Sequence, residues 1–161
     1  MAAQAIRNSE RIVAAPRVLM MALARASQVA ILNGDKSAAA PVSHLLRMLR
    51  DKGVTYWADE ALDVAGLVLA DRQPDEAAIA LNASRSLQAA VEDTGSQVSA
   101  MRTRLRRCRA QLINTLGYQR WQQAEHRAQA TPVEEVIVRA LAALDTLYAD
   151  RSFRPPDTKQ K

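Results

Sequence analysis

The longest regular pattern in the chain begins at Pro74 and places an apolar or small residue at alternating gaps of three and four positions. This spacing keeps the residues on one face of an α-helix, as in the heptad seam of a coiled coil. The pattern continues in register through Gly95, so it predicts a single spine helix over 74–116, about 43 residues and roughly 65 Å long. Its seam consists of Ala80, Ser84, Leu87, Val91, Thr94, Val98, Met101, Leu105, Cys108, Leu112 and Thr115.

Shorter apolar patterns predict four further helices, over 3–32, 41–52, 56–71 and 132–151. The phase of the spine pattern breaks at Gly117, which predicts the end of the spine and a short helix after it. In each helix the apolar positions recur every three or four residues and should face the core. The predicted buried residues are Ile12, Ala15, Leu19, Ala22, Ala26 and Val29 in the first helix and Val42, Leu45, Leu46 and Leu49 in the second.

Two local signals concern helix geometry. Pro16 falls inside the first helix, where a proline removes a backbone hydrogen bond and is expected to produce a kink or a fresh helix start. Thr131, followed by Pro132 and Glu134, has the order of a capping residue, a first-turn proline and the acid of a capping box. That order predicts a helix that starts at Pro132 and is capped by Thr131.

Together these helices predict an all-α fold: an elongated bundle that forms one domain over 1–153, with a flexible tail over 154–161. A helix of roughly 65 Å is much longer than a compact domain of this size, whose radius of gyration is about 15 Å. Part of the seam should therefore be covered by a second copy, and a homo-oligomer is expected. The predicted core and oligomer seam comprises Leu87, Val91, Val98, Met101, Leu105 and Leu112.

Composition supports the helical interpretation. The chain is 48% hydrophobic but only 4% aromatic, and its 161 residues include five glycines and six prolines, too few for a β-protein with frequent turns. No apolar segment is long enough to cross a bilayer, so no membrane association is expected. The single cysteine, Cys108, cannot form an internal disulfide, which favours a cytoplasmic location.

Sequence motifs for catalysis are absent. The chain has no phosphate-binding glycine loop, nucleophile elbow or HExxH motif. His44 and His126 lack neighbours at metal-ligand spacing, and Cys108 falls on the predicted seam, where a buried and unreactive thiol is the simplest interpretation. The acidic residues near two helix starts suit the helix dipole. We therefore expect no enzyme activity, catalytic residue, metal, cofactor or small-molecule substrate.

Charge is unevenly distributed along the chain, whose formal net charge is +5. Residues 51–93 carry three basic and nine acidic groups, whereas residues 102–127 carry seven arginines and one glutamate. On a helical projection of the spine helix, Arg102, Arg106 and Arg109 flank the seam on one side, and Arg104 and Arg107 flank it on the other. The candidate nucleic-acid-binding residues are Arg102, Arg104, Arg106, Arg107, Arg109 and Arg120.

Three interpretations of this arginine cluster follow. It binds the phosphates of a nucleic acid, with Tyr118 and Trp121 as possible stacking residues; it is neutralised by the acidic segment 51–93; or it binds an acidic protein. The leading hypothesis is a non-enzymatic helical interaction module, an accessory subunit of a nucleoprotein assembly that contacts the nucleic acid backbone. The alternative is a protein-binding adaptor or chaperone that uses exposed amphipathic helix faces while the cluster is neutralised internally.

Overall fold

The computed structural model describes residues 2–34, 36–90 and 99–149 and, in the first helix, side chains from Pro16 onwards. Within these residues every regular element is helical, which confirms the all-α prediction. The elements are α1 (Ala2–Leu32), a short 3-10 helix (Lys36–Ala38), α2 (Ala39–Lys52), α3 (Ala58–Leu69), α4 (Pro74–Ala90), α5 (Ser99–Leu116), α6 (Tyr118–Ala130) and α7 (Val133–Ala149).

The helix α4 lies at the centre of the bundle. Every residue from Ala77 to Ser84 is buried, so this stretch has no solvent-facing side. Its neighbours are α3, α5, α6 and α7, while α1 and α2 pack against each other and against α3, and α2 also packs against α7. A helix that is apolar or small all round is stable only when other elements surround it. The core is completed by α2, whose Val42, Leu45, Leu46 and Leu49 are buried as predicted.

The prediction of one continuous spine helix over 74–116 is not confirmed. Ser84 of α4 and Arg109 of α5 both approach the same carboxylate oxygen of Asp63, at 2.8 and 3.8 Å. In a straight helix these two residues would lie about 38 Å apart. The pattern therefore belongs to two helices that pack against each other. Gly95, like the seam residues Val91 and Val98, lies outside the described residues, as does the predicted tail.

This correction removes the argument for an oligomer that came from helix length. Met101, Leu105 and Leu112 are buried within the monomer, and Leu87 is half-buried. The described seam positions therefore lie inside the chain, except Thr115, which is exposed. A periodic pattern gives the face that is buried but does not say which partner buries it.

The predicted buried stripe of α1 is also wrong in the described part of the helix. Leu19, Ala22, Ala26 and Val29 are all exposed. The core instead receives the opposite face, and Ser27 and Gln28 on that face are polar, which concealed it in the hydrophobic pattern. Ile12 and Ala15 lie where side chains are not described. The buried residues of this helix are Met20, Ala24, Ser27, Gln28 and Ile31.

Thr131 acts on the helix before it rather than the one after it. Its hydroxyl donates a hydrogen bond of 2.7 Å to the carbonyl oxygen of Arg127 in α6. At the start of α7, the carbonyl oxygen of Pro132 accepts hydrogen bonds from the backbone N–H groups of Glu135 and Val136. The sequence signal therefore marked the helix boundary correctly, but the predicted threonine cap of α7 is not formed.

The contact between α3 and α4 predicts an unusual response to a glycine substitution. A Cβ atom at Gly66 would lie 2.5 Å from Cγ and 2.6 Å from Cδ2 of the fully buried Leu81. Overpacking costs roughly 1–3 kcal/mol, which exceeds the gain of up to about 1 kcal/mol from replacing a helical glycine. We expect Gly66→Ala to lower the free energy of unfolding in urea by about 1–2 kcal/mol.

A double-mutant cycle identifies the clash as the cause. In a Leu81→Ala background the obstructing atoms are gone, so Gly66→Ala should be neutral or stabilising. An equal loss of stability in both backgrounds would contradict close packing at this point.

Candidate nucleic-acid interface

The helix α5 presents its arginines because its apolar residues face the bundle. Met101, Leu105, Cys108 and Leu112 recur at gaps of three and four, and all are buried. The positions between them must then lie along the flanks and outer side of the helix. Burial of the seam thus places most of the cluster at the surface.

Five of the six predicted arginines are exposed: Arg102, Arg104, Arg106 and Arg107 on α5, and Arg120 on α6. Among the residues that the structure describes, no acidic side chain forms an ion pair with Arg104, Arg106 or Arg107. These three form the open part of the cluster. Because like charges within two helical turns repel each other, an anion would stabilise this surface.

Arg109 belongs to a buried polar network and not to the open part of the cluster. Its Nη2 lies 3.8 Å from Oδ1 of Asp63, which is fully buried in α3. The same Oδ1 accepts a hydrogen bond of 2.8 Å from the Ser84 hydroxyl, and Oδ2 accepts one of 3.0 Å from Nε2 of Gln88. The carboxylate therefore connects α3, α4 and α5, and Arg109 supplies positive charge to this junction.

Arg120 is also engaged within the chain. Its Nη2 lies 2.6 Å from Oδ2 of Asp75 at the start of α4, in an exposed pair. The next residue, Glu76, accepts two hydrogen bonds from Arg139 of α7, at 2.6 and 3.1 Å. The acidic segment thus neutralises Arg109 and Arg120, as the second interpretation of the cluster expected, but this pairing does not extend to the open part.

Asp63 is one of the acidic residues near a helix start that the sequence analysis explained by the helix dipole. Its place in the buried network was not predicted. The signal was present in its neighbours, since Asp63 interrupts the apolar run from Ala61 to Ala65. A carboxylate within a buried run requires hydrogen-bond donors from neighbouring elements. The sequence alone did not identify those donors, because Ser84 and Gln88 are 21 and 25 residues away.

A groove of about 620 Å³ lies beside the open part of the cluster. The ends of α1 and α3 form one wall and α5 forms the other, with both Arg104 and Arg107 on the α5 side. Its lining combines these guanidinium groups with apolar surface and with the carboxylate of Asp71. The lining residues are Leu32, Leu67, Ala70, Asp71, Ala100, Thr103, Arg104, Arg107, Cys108 and Gln111.

The thiol of Cys108, which lines this groove, is unreactive at neutral pH. Burial raises the pKa of Cys108 to about 11, and the negative charge of Asp71 acts in the same direction, while Arg109 and Arg104 oppose the shift. The reactive species of a cysteine is the thiolate, so at neutral pH this side chain is present as the unreactive thiol. Its contribution is to packing.

The aromatic residues near the cluster separate into two environments. Trp121 is buried in the core, which excludes it as a stacking platform, whereas Tyr118 is 67% exposed.

The histidines His44 and His126 are both exposed. Within the described ranges, no group of three potential ligands surrounds a metal position, and no helix has the length and apolar character to span a membrane.

Comparison with protein-family models, curated protein sequences and solved structures gives no match for this chain.

The buried network predicts a large difference between two identical substitutions. Asp63→Asn removes a fully buried negative charge. It also puts an NH₂ group, which donates hydrogen bonds, where the surrounding side chains need an acceptor. We therefore expect a loss of about 2–4 kcal/mol in the free energy of unfolding. Asp75→Asn breaks a closer but exposed ion pair with Arg120 and should cost less than about 1 kcal/mol. Urea denaturation measures both. Equal effects would show that Asp63 does not hold the three helices together.

The raised pKa of Cys108 predicts a pH dependence of stability. In the unfolded chain a thiol ionises near pH 8.5, whereas the folded protein holds the proton until about pH 11. The contribution of the buried thiol to the free energy of unfolding is therefore fully present below about pH 8.5 and is lost as the pH rises toward 11. Urea denaturation should show a larger loss between pH 8 and 10.5 for the wild type than for Cys108→Ala. Identical losses would contradict a buried thiol.

Proposed function

We propose that this protein is a non-enzymatic helical interaction module, an accessory subunit of a nucleoprotein assembly that contacts the nucleic acid backbone through α5. The observation that supports the proposal is the open part of the cluster, Arg104, Arg106 and Arg107. These three side chains are exposed and have no acidic partner among the described residues. Arg102 is also exposed on this helix.

The chemistry of the side chain favours phosphate as the ligand. A guanidinium group is planar and permanently charged, and it offers paired N–H donors that match two oxygens of one phosphate. Arg104 and Arg107 lie one helical turn apart on the flank that borders the groove, while Arg106 lies toward the other flank. A polyanion with regularly spaced phosphates can bind several such groups at once.

The contacts within the chain also narrow the predicted site. Arg109 and Arg120 were candidates, but each lies beside a carboxylate of the acidic segment, at 3.8 Å from Asp63 and 2.6 Å from Asp75, so the proposal no longer includes them. Their pairing supports the alternative, a protein-binding adaptor with an internally neutralised cluster. The alternative is weaker because no carboxylate among the described residues forms an ion pair with Arg104, Arg106 or Arg107.

Binding to nucleic acid can be measured by fluorescence anisotropy with labelled single-stranded RNA and duplex DNA at several salt concentrations. We expect steeply salt-dependent binding with little preference for sequence. Changing Arg104, Arg106 and Arg107 together to Gln should weaken binding at least tenfold. It should also lower the salt slope on duplex DNA by about three, since each phosphate contact contributes roughly 0.9.

A charge-matched control separates the site from a general effect of net charge. Lys52, Arg85 and Arg127 are exposed on three other helices, and changing them to Gln removes the same three charges. This control should bind nearly as well as the wild type. If both triple variants lose binding equally, α5 is not the site. If the wild type binds neither nucleic acid at about 50 mM salt, the adaptor becomes the better proposal.

A further inference from the structure

The groove between α5 and the ends of α1 and α3 is lined by charges of both signs. Arg104 and Arg107 lie on its α5 side, and Asp71, which follows α3, lies on the other wall. In the described part of the chain, neither guanidinium forms an ion pair with this carboxylate or with any other. All three side chains are exposed, so each keeps its hydrogen-bonding capacity for a ligand.

Apolar surface lies beside these charges in the same groove. Leu32 at the end of α1, and Leu67 and Ala70 at the end of α3, line the groove and also pack against the core, which holds them in place. The groove volume of about 620 Å³ lies within the range of about 300–1,000 Å³ that is typical of pockets for organic ligands. The groove therefore has room for a planar group of moderate size next to the two arginines.

One unit of a nucleic acid strand offers a matching partner to each part of this lining. Its phosphate pairs with guanidinium groups. The face of its base packs on apolar side chains and on the guanidinium plane. The edge of its base carries N–H donors, and an ionised carboxylate such as that of Asp71 only accepts hydrogen bonds. Because this carboxylate repels a phosphate, the two walls of the groove favour different parts of the ligand.

We propose that the groove binds an unpaired base of a single-stranded nucleic acid, while the phosphates of the same strand bind Arg104 and Arg107. This inference rests on the proposed function and narrows its ligand from nucleic acids in general to single strands. In a single strand the bases turn outward readily. In a duplex they are paired and stacked, so a base enters the groove only after it is unpaired, which costs free energy.

Fluorescence anisotropy on the full chain with three labelled probes of equal length tests the proposal. The probes are a single-stranded DNA of mixed sequence, the same strand annealed to its complement, and a strand built entirely of abasic tetrahydrofuran units, which keeps the phosphates but has no bases. The single strand should bind about tenfold or more tighter than either of the others, since base contacts add to the phosphate contacts. A surface that attracts phosphates alone would favour the duplex, whose charge density is higher.

Asp71→Ala separates base binding from general electrostatics, because the two predict effects of opposite sign. Removing a negative charge beside two arginines should tighten binding of the abasic strand. Losing the hydrogen-bond acceptor should weaken binding of the single strand by about threefold or more. Asp51→Ala is the matched control, the same substitution at an exposed aspartate of α2 that does not line the groove, and it should change both affinities by less than about twofold.

The outcomes distinguish failure of this inference from failure of the proposed function. If none of the three probes binds at about 50 mM salt, both are overturned. If the duplex or the abasic strand binds as tightly as the single strand, and the Gln variant of Arg104, Arg106 and Arg107 loses that binding, the proposed function stands and the groove is not a base-binding site. Tighter binding of the single strand by Asp71→Ala would also overturn the inference.

Discussion

Burial of α4 on every side is the constraint on which the rest of the bundle depends. Every residue from Ala77 to Ser84 is buried, so other helices must surround this stretch on all sides. Its many small residues let those helices come close, and Gly66 of α3 has no room for a Cβ atom beside Leu81. The positions of α3, α6 and α7 follow from this enclosure.

Enclosure of α4 brings the carboxylate of Asp63 into the interior, where it requires hydrogen-bond donors. Asp63 is fully buried and receives hydrogen bonds from two residues of α4, while Arg109 of α5 supplies the nearby positive charge. A buried carboxylate without such partners would cost several kcal/mol. The network therefore helps to fix the position of α5, and with it the side on which the open part of the cluster lies.

The distribution of charge follows from the same packing. The acidic segment lies beside the basic one, but its carboxylates that pair with arginines of α5, α6 and α7 lie at particular places: Asp63 inside the bundle and Asp75 with Glu76 at the start of α4. They can reach Arg109, Arg120 and Arg139. Side-chain length limits an ion pair to a few ångströms, so neutralisation is local. An excess of positive charge remains at Arg104, Arg106 and Arg107, which supports the proposed function.

The sequence by itself determined the helical class, the approximate boundaries of the helices outside 74–116, and the inward face of α2 and α5. These properties depend on local propensity and on periodicity within one helix, and neighbouring residues encode both. Only the tertiary structure decided that the pattern over 74–116 serves two packed helices, that α1 turns its polar-interrupted face inward, and that Asp63 holds Arg109. A periodic pattern gives the direction of a side chain around its own helix axis but carries no information about the element it meets. The long-range contacts that select among the arginines are therefore visible only in the folded chain.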